Sequence, residues 1–235
     1  MAKFQWFFLT LLLTAFCVSC LKGKSKKSSS IKQQDEIVYG DQGLYRTLLM
    51  PVNSQFGDIV SGTMDVSILG DFFEVQGTVL GAPANSKHLQ FISEGTRCPE
   101  SKDDINKDGI IDLEELIKVS GKILIPLDSD LSEQLSGSDF GPIANNLGKY
   151  VYKESTSFSV LLSDLLSDDP DRTDIFQKLS TGEKLKLEKK VMVVLGLRDG
   201  TIIPLTVKNP STHSSEESVP IACGEFSRVS DENRL

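Results

Sequence analysis

The sequence predicts a mainly β protein: a single antiparallel β-sandwich with short helices and one inserted acidic loop. Two patterns carry this expectation. From about Glu36 the chain runs in short segments that alternate apolar and polar residues, the period-two spacing that turns one face of a strand toward a core. The run Val191–Leu195 is apolar throughout, as expected of a central strand. There is no internal repeat, and removing residues 1–19 leaves 216 residues, enough for one sizeable core or two small ones.

In "GTMDVSILGDFFEVQGTVLG" (Gly62–Gly81), Met64, Val66 and Ile68 alternate with Asp65 and Ser67, and Phe73, Val75 and Val79 follow a Gly70–Asp71 turn. This is the pattern of a β-hairpin with one buried face. "GKILIPL" (Gly121–Leu127), "KLKLEKKVMVVLGL" (Lys184–Leu197) and "TIIPLTV" (Thr201–Val207) are expected to be further strands. "FSVLLSDLLSDDP" places Phe158, Leu161, Leu162 and Leu165 at helical spacing and stops at Pro170. A short helix covering one end of the sandwich follows from that spacing.

The first residues follow a different logic. Lys3 precedes an almost wholly apolar run from Phe7 to Val18, too short for a stable bilayer span and laid out like a secretory signal. A short N-terminal membrane anchor is the alternative. Val18 and Ser19 before Cys20 resemble the lipobox of bacterial lipoproteins, although Cys17 stands where such boxes usually carry Leu. That resemblance implies that Cys20 is diacylated and becomes the mature N-terminus. Residues 20–37 contain "LKGKSKKSSSIKQQDE", too polar to bury a core and hence a flexible tether. Residues 38–235 then form the single sandwich domain.

Four cysteines are present. Cys17 leaves with the signal and Cys20 takes the lipid, so Cys98 and Cys223 remain as an even pair in an oxidising compartment. A disulfide is expected, with two buried free thiols as the alternative.

The most specific segment is "DINKDGIIDLEE", Asp104–Glu115. It meets every requirement of D-x-[DN]-x-[DN]-G-x5-E, the spacing of an EF-hand calcium loop. Calcium is a hard cation that takes six to eight oxygens. The loop positions that supply them hold Asp104, Asn106, Asp108, the Ile110 carbonyl, Asp112 and Glu115, with Glu115 as the bidentate residue. Gly109 stands where the loop must turn sharply, and Ile111 is placed to anchor it to the core or to a short β-contact. "LEELIKV" (Leu113–Val119) supplies an exiting helical turn, whereas "RCPESKD" (Arg97–Asp103) is too short and Pro-containing for a full entering helix. The loop is therefore expected to stand alone rather than in a paired sensor domain. The chain carries a formal charge of −8, or −9 once Lys3 leaves with the signal, which argues against nucleic acid as a partner.

"VPIACGEF" (Val219–Phe226) resembles the closing strand of copper/zinc superoxide dismutases and the related CHRD-type sandwiches, and "VQGTVLGAPANSKHLQFI" (Val75–Ile92) resembles the strand and loop leading to their histidine motif. The resemblance spans about residues 60–228, and it implies the same sandwich and a Cys98–Cys223 bridge. Its redox chemistry is not carried over. Phe91 and Ser93 stand at the positions matching His-x-His, and Leu195 at that of a later ligand. Only His88 and His213 remain, and imidazole-rich copper or zinc sites need several. His213 is expected to be solvated in a polar loop and His88 to lie at the surface or in a loop, with a leftover ligand as the alternative. There is no G-x-S-x-G, phosphate loop or H-E-x-x-H, so no catalytic residue is assigned. The sequence reads as a non-catalytic, calcium-binding lipoprotein of the bacterial cell envelope, at the outer membrane or periplasmic face. It would be held to the membrane by its N-terminal lipid and serve binding or adhesion to an envelope protein or extracellular ligand. The alternatives are a metalloenzyme built on the dismutase-like sandwich and a calcium-regulated sensor.

Overall fold

A long antiparallel hairpin organises the molecule. The computed structural model describes residues 41–131, 141–168 and 174–230, so the signal, Cys20 and the tether lie outside the described residues. Strands β2 (Ser61–Leu69) and β3 (Phe72–Leu80) pair over their full length around Gly70–Asp71. Met64, Val66, Ile68, Phe73, Val75 and Val79 are all fully buried, as the alternation requires.

The protein is mainly antiparallel β. With β1 (Gly43–Pro51), β4 (Gln90–Ser93), β5 (Ile123–Pro126), β6 (Tyr150–Ser157), β7 (Val191–Leu195) and β8 (Pro220–Glu225), the strand order is β5-β4-β7-β8-β1-β2-β3-β6, and β9 (Ser227–Arg228) pairs β1. The two halves of the sandwich are one curled sheet, because β1 serves both. Its residues Gly43–Leu49 pair β2, while Met50 and Pro51 pair Cys223 and Ala222 of β8. Gly224 permits that crossing: a Cβ there would lie 2.3 Å from Thr47 Oγ1 and 2.4 Å from Leu48 O.

β7 explains its own composition. Met192 and Val194 face the main core with Ile92, Ile125, Ile221 and the hairpin residues. Val191, Val193 and Leu195 face a second cluster on the other side of the sheet, with Phe91, Ile111, Leu113 and Leu116. The acidic loop and its exit helix α1 (Leu113–Ser120) therefore cover the outer face of β4, β7 and β8. Helix α2 (Phe158–Leu165) buries all four residues of its predicted stripe, and Phe158 stacks on Phe73 with ring centroids 5.9 Å apart. Asp71 of the hairpin turn begins that helix, accepting from Ser159 N and Ser157 Oγ at 2.7 Å each. Those donors hold its carboxyl below the usual carboxylate range.

Two strand expectations need correction. Residues 201–207 form no strand: Ile203 and Val207 pack inward, while Ile202 and Leu205 are 92% and 101% exposed. Pro204 has no N–H to offer a ladder. In the 184–197 stretch only Val191–Leu195 is a strand. Leu185 and Leu187 are buried, so alternation there reports side-chain burial without strand pairing.

Candidate functional site

The Asp104–Glu115 loop winds around its own carboxylates. Lys107 N and Gly109 N donate to the two oxygens of Asp104 at 2.7 and 2.8 Å. Asp108 N donates to Asn106 Oδ1, and Ile110 N to Asp108 Oδ1, each at 2.9 Å. Such side-chain-to-backbone turns are what Asp and Asn offer at this spacing. Lys107 and Gly109 take positive φ of 61° and 87°, a conformation cheap for glycine.

At the exit, Asp112 and Glu115 form a reciprocal cap of α1. Glu115 N donates to Asp112 Oδ1 at 2.8 Å and Asp112 N to Glu115 Oε2 at 3.2 Å. Glu115 Oε1 points back into the loop, accepting from Ile105 N at 2.7 Å and Asn106 N at 3.2 Å. Asp112 is fully buried and Glu115 is 3% exposed. At the entrance, the Arg97 guanidinium grips Asp103 through two bonds of 2.7 and 2.9 Å and holds its carboxyl down to about 2.

Charge is unevenly compensated. Asp103 pairs with Arg97 and Glu114 with Lys118. Asp104, Asp108, Asp112 and Glu115 enter no ion pair among the described residues. Asp108 Oδ2 is buried and accepts no hydrogen bond among the described residues. Among the described residues no three His, Cys, Asp or Glu side chains stand converged as a ligand set, because the loop carboxylates turn onto backbone N–H groups. The donor set is oxygen throughout, the chemistry that suits calcium. The orphaned oxygen and the unpaired buried carboxylates fit a cation in this loop.

Partners absent from the motif hold the loop in place. Ile111 exchanges hydrogen bonds with the Asn53 carboxamide, and Gln55 Nε2 donates to Gly109 O at 2.7 Å. Asn106 Nδ2 donates to Thr206 O at 3.2 Å, and Lys208 N donates to Asp112 Oδ2 at 2.6 Å. No sequence signal identifies these residues, since each lies far along the chain from the loop. Cys98 and Cys223 stand at disulfide distance with Cα atoms 5.8 Å apart, joining the loop's near side to β8.

Phe91 and Ser93 lie on β4 and Leu195 on β7. Phe91 and Leu195 line a cavity of about 160 Å³, together with Leu113, Ile123 and His213. Ser93 Oγ donates to Val191 O. His88 lies in a loop, as one expectation had it, but not at the surface: it is fully buried and stacks on Tyr150 with centroids 5.8 Å apart. Its Nδ1 and Nε2 lie 3.2 and 3.1 Å from the carbonyls of Leu195 and Pro83. His213 is part-buried at the cavity rather than free in solvent. Compared with known proteins, the chain matches no protein-family model and no curated sequence.

Proposed function

We propose that residues 104–115 bind one calcium ion, and that the ion stabilises a non-catalytic sandwich domain tethered to the bacterial cell envelope by a lipid on Cys20. Asp104, Asn106, Asp108, Ile110 through its carbonyl, Asp112 and Glu115 would hold the ion. The cation would supply positive charge to a segment that sets five carboxylates, those of Asp104, Asp108, Asp112, Glu114 and Glu115, against the single ammonium of Lys107. The observation that carries the reading is the pair of buried carboxylates, Asp112 and Glu115, which form no salt bridge among the described residues and feel only the more distant charge of Lys118. Buried charges are expensive unless paired or metal-bound.

The role is structural because α1 and the loop cover the outer face of β4, β7 and β8. Ordering the loop is therefore part of ordering the sandwich, and binding to the folded state alone raises stability by mass action. Envelope binding or adhesion is the purpose consistent with a lipid anchor and an acidic body. In thermal unfolding, excess calcium should raise the midpoint over that in chelator, and Glu115→Gln should remove most of that difference. Equal midpoints for the parent chain in calcium and chelator would sink the reading.

A further inference from the structure

Ile111 is 6% exposed, so its peptide N–H and C=O must both find partners. Neither joins a strand. Asn53 serves both: Ile111 N donates to Asn53 Oδ1 at 2.9 Å, and Asn53 Nδ2 donates to Ile111 O at 2.8 Å. A carboxamide is planar with an acceptor and two donors, so it presents the same face as the peptide of a neighbouring strand. Its second amide hydrogen reaches Pro220 O at 3.0 Å, at the start of β8. The left-handed backbone of Asn53, φ 55° and ψ 38°, is one that asparagine tolerates.

The bond to Ile111 N–H acts on a ligand. That N–H belongs to the same peptide plane as the Ile110 carbonyl, and in a trans peptide the two point in opposite directions. Holding the N–H on the outer side aims the Ile110 oxygen at the opposite side of the strand of chain, and hydrogen bonding polarises it further. We propose that Asn53 is a positioning residue for the cation loop. It takes the part that a second loop or a second chain would otherwise play, which makes the site self-contained: one cation per chain, no cooperativity and no cation-driven pairing of chains. This rests on the calcium reading of the loop.

The test is calorimetric titration of the full chain with calcium alone, beside unfolding midpoints in chelator. Asn53→Gly keeps the left-handed backbone and deletes the carboxamide. Asn53→Asp keeps an acceptor for Ile111 N–H and loses both donors. The parent should bind one calcium per chain with a Hill slope of one and unchanged sedimentation. Asn53→Gly should bind roughly tenfold more weakly, the effect of losing two ordinary hydrogen bonds, and Asn53→Asp should recover most of the affinity despite a lower midpoint in chelator. Asn53→Gly binding within twofold of the parent would make Asn53 structural only and overturn the proposal, as would equal losses in both variants. Should neither variant fold, the parent decides alone: calcium-driven dimerisation or a slope above one overturns self-containment. A parent that binds no calcium fails the underlying reading as well, an outcome distinct from normal parent binding with unaffected variants.

Discussion

The backbone N–H of Lys208 donates to Asp112 Oδ2 across 2.6 Å, joining residues 96 positions apart. The other oxygen of Asp112 caps α1 by accepting from Glu115 N. One buried side chain thus belongs to the acidic loop, starts a helix and moors the segment that carries Ile202 and Leu205. Asp112→Asn retains one acceptor and loses the second, leaving either the buried Glu115 N–H or the part-buried Lys208 N–H without its partner. It should lower unfolding free energy by about 1–3 kcal/mol in chelator and by more in calcium, where a cation ligand is lost as well, measured by urea denaturation. A loss seen only in calcium would show that Asp112 matters solely as a cation ligand.

Cys98 and Cys223 are separated by 125 positions, and a bridge there closes a long loop of the unfolded chain. It also joins the outer-face cluster, which contains Cys223, to the chain entering the acidic loop. Replacing both residues by serine should cost about 2–4 kcal/mol, read from urea unfolding of the oxidised parent against the double variant. Identical unfolding of parent and variant under oxidising conditions would mean that the two thiols do not bridge.

His88 sets a pH dependence. A neutral imidazole has one N–H, so only one of its two carbonyl contacts is a hydrogen bond at a time. Burial pushes its pKa below the ordinary value, outweighing the Pro83 and Leu195 carbonyls, and to a lesser degree Asp58, which favour the cation. In the unfolded chain a histidine titrates near about 6.5. Between that value and the lower folded one, the unfolded chain binds the extra proton. The stabilisation is therefore whole above about pH 6.5 and is lost as pH falls toward the folded pKa. Urea midpoints should fall between about pH 7.5 and 5.5 for the parent and fall less for His88→Gln. Parallel declines in the two proteins would assign the pH dependence to other groups.

Much of the architecture was legible because it is local. The hairpin around Gly70–Asp71 follows from period-two burial, and α2 buries Phe158, Leu161, Leu162 and Leu165 at the helical spacing that announced it. The turns of the acidic loop and the Asp112–Glu115 cap span two to five residues, so the sequence could specify them without knowing the fold. Alternation holds for burial at Leu185 and Leu187 without strand pairing, and it fails at 201–207, where Leu205 shares the parity of the inward Ile203 and Val207 and is fully exposed. Pairing depends on which neighbour the sheet delivers.

What the sequence by itself determined is the set of short-range geometries: alternation, helical stripe, capping box and the spacing of oxygen-bearing side chains. Tertiary structure alone decided that β1 would serve both halves of a curled sheet, that His88 would lie between two carbonyls, and that Asn53 and Lys208 would complete a loop 58 and 96 residues away. The physical reason is loop closure. A hydrogen bond between neighbours needs only local dihedrals, whereas a partner at long separation arrives only after a core has offset the entropy of bringing the chain together.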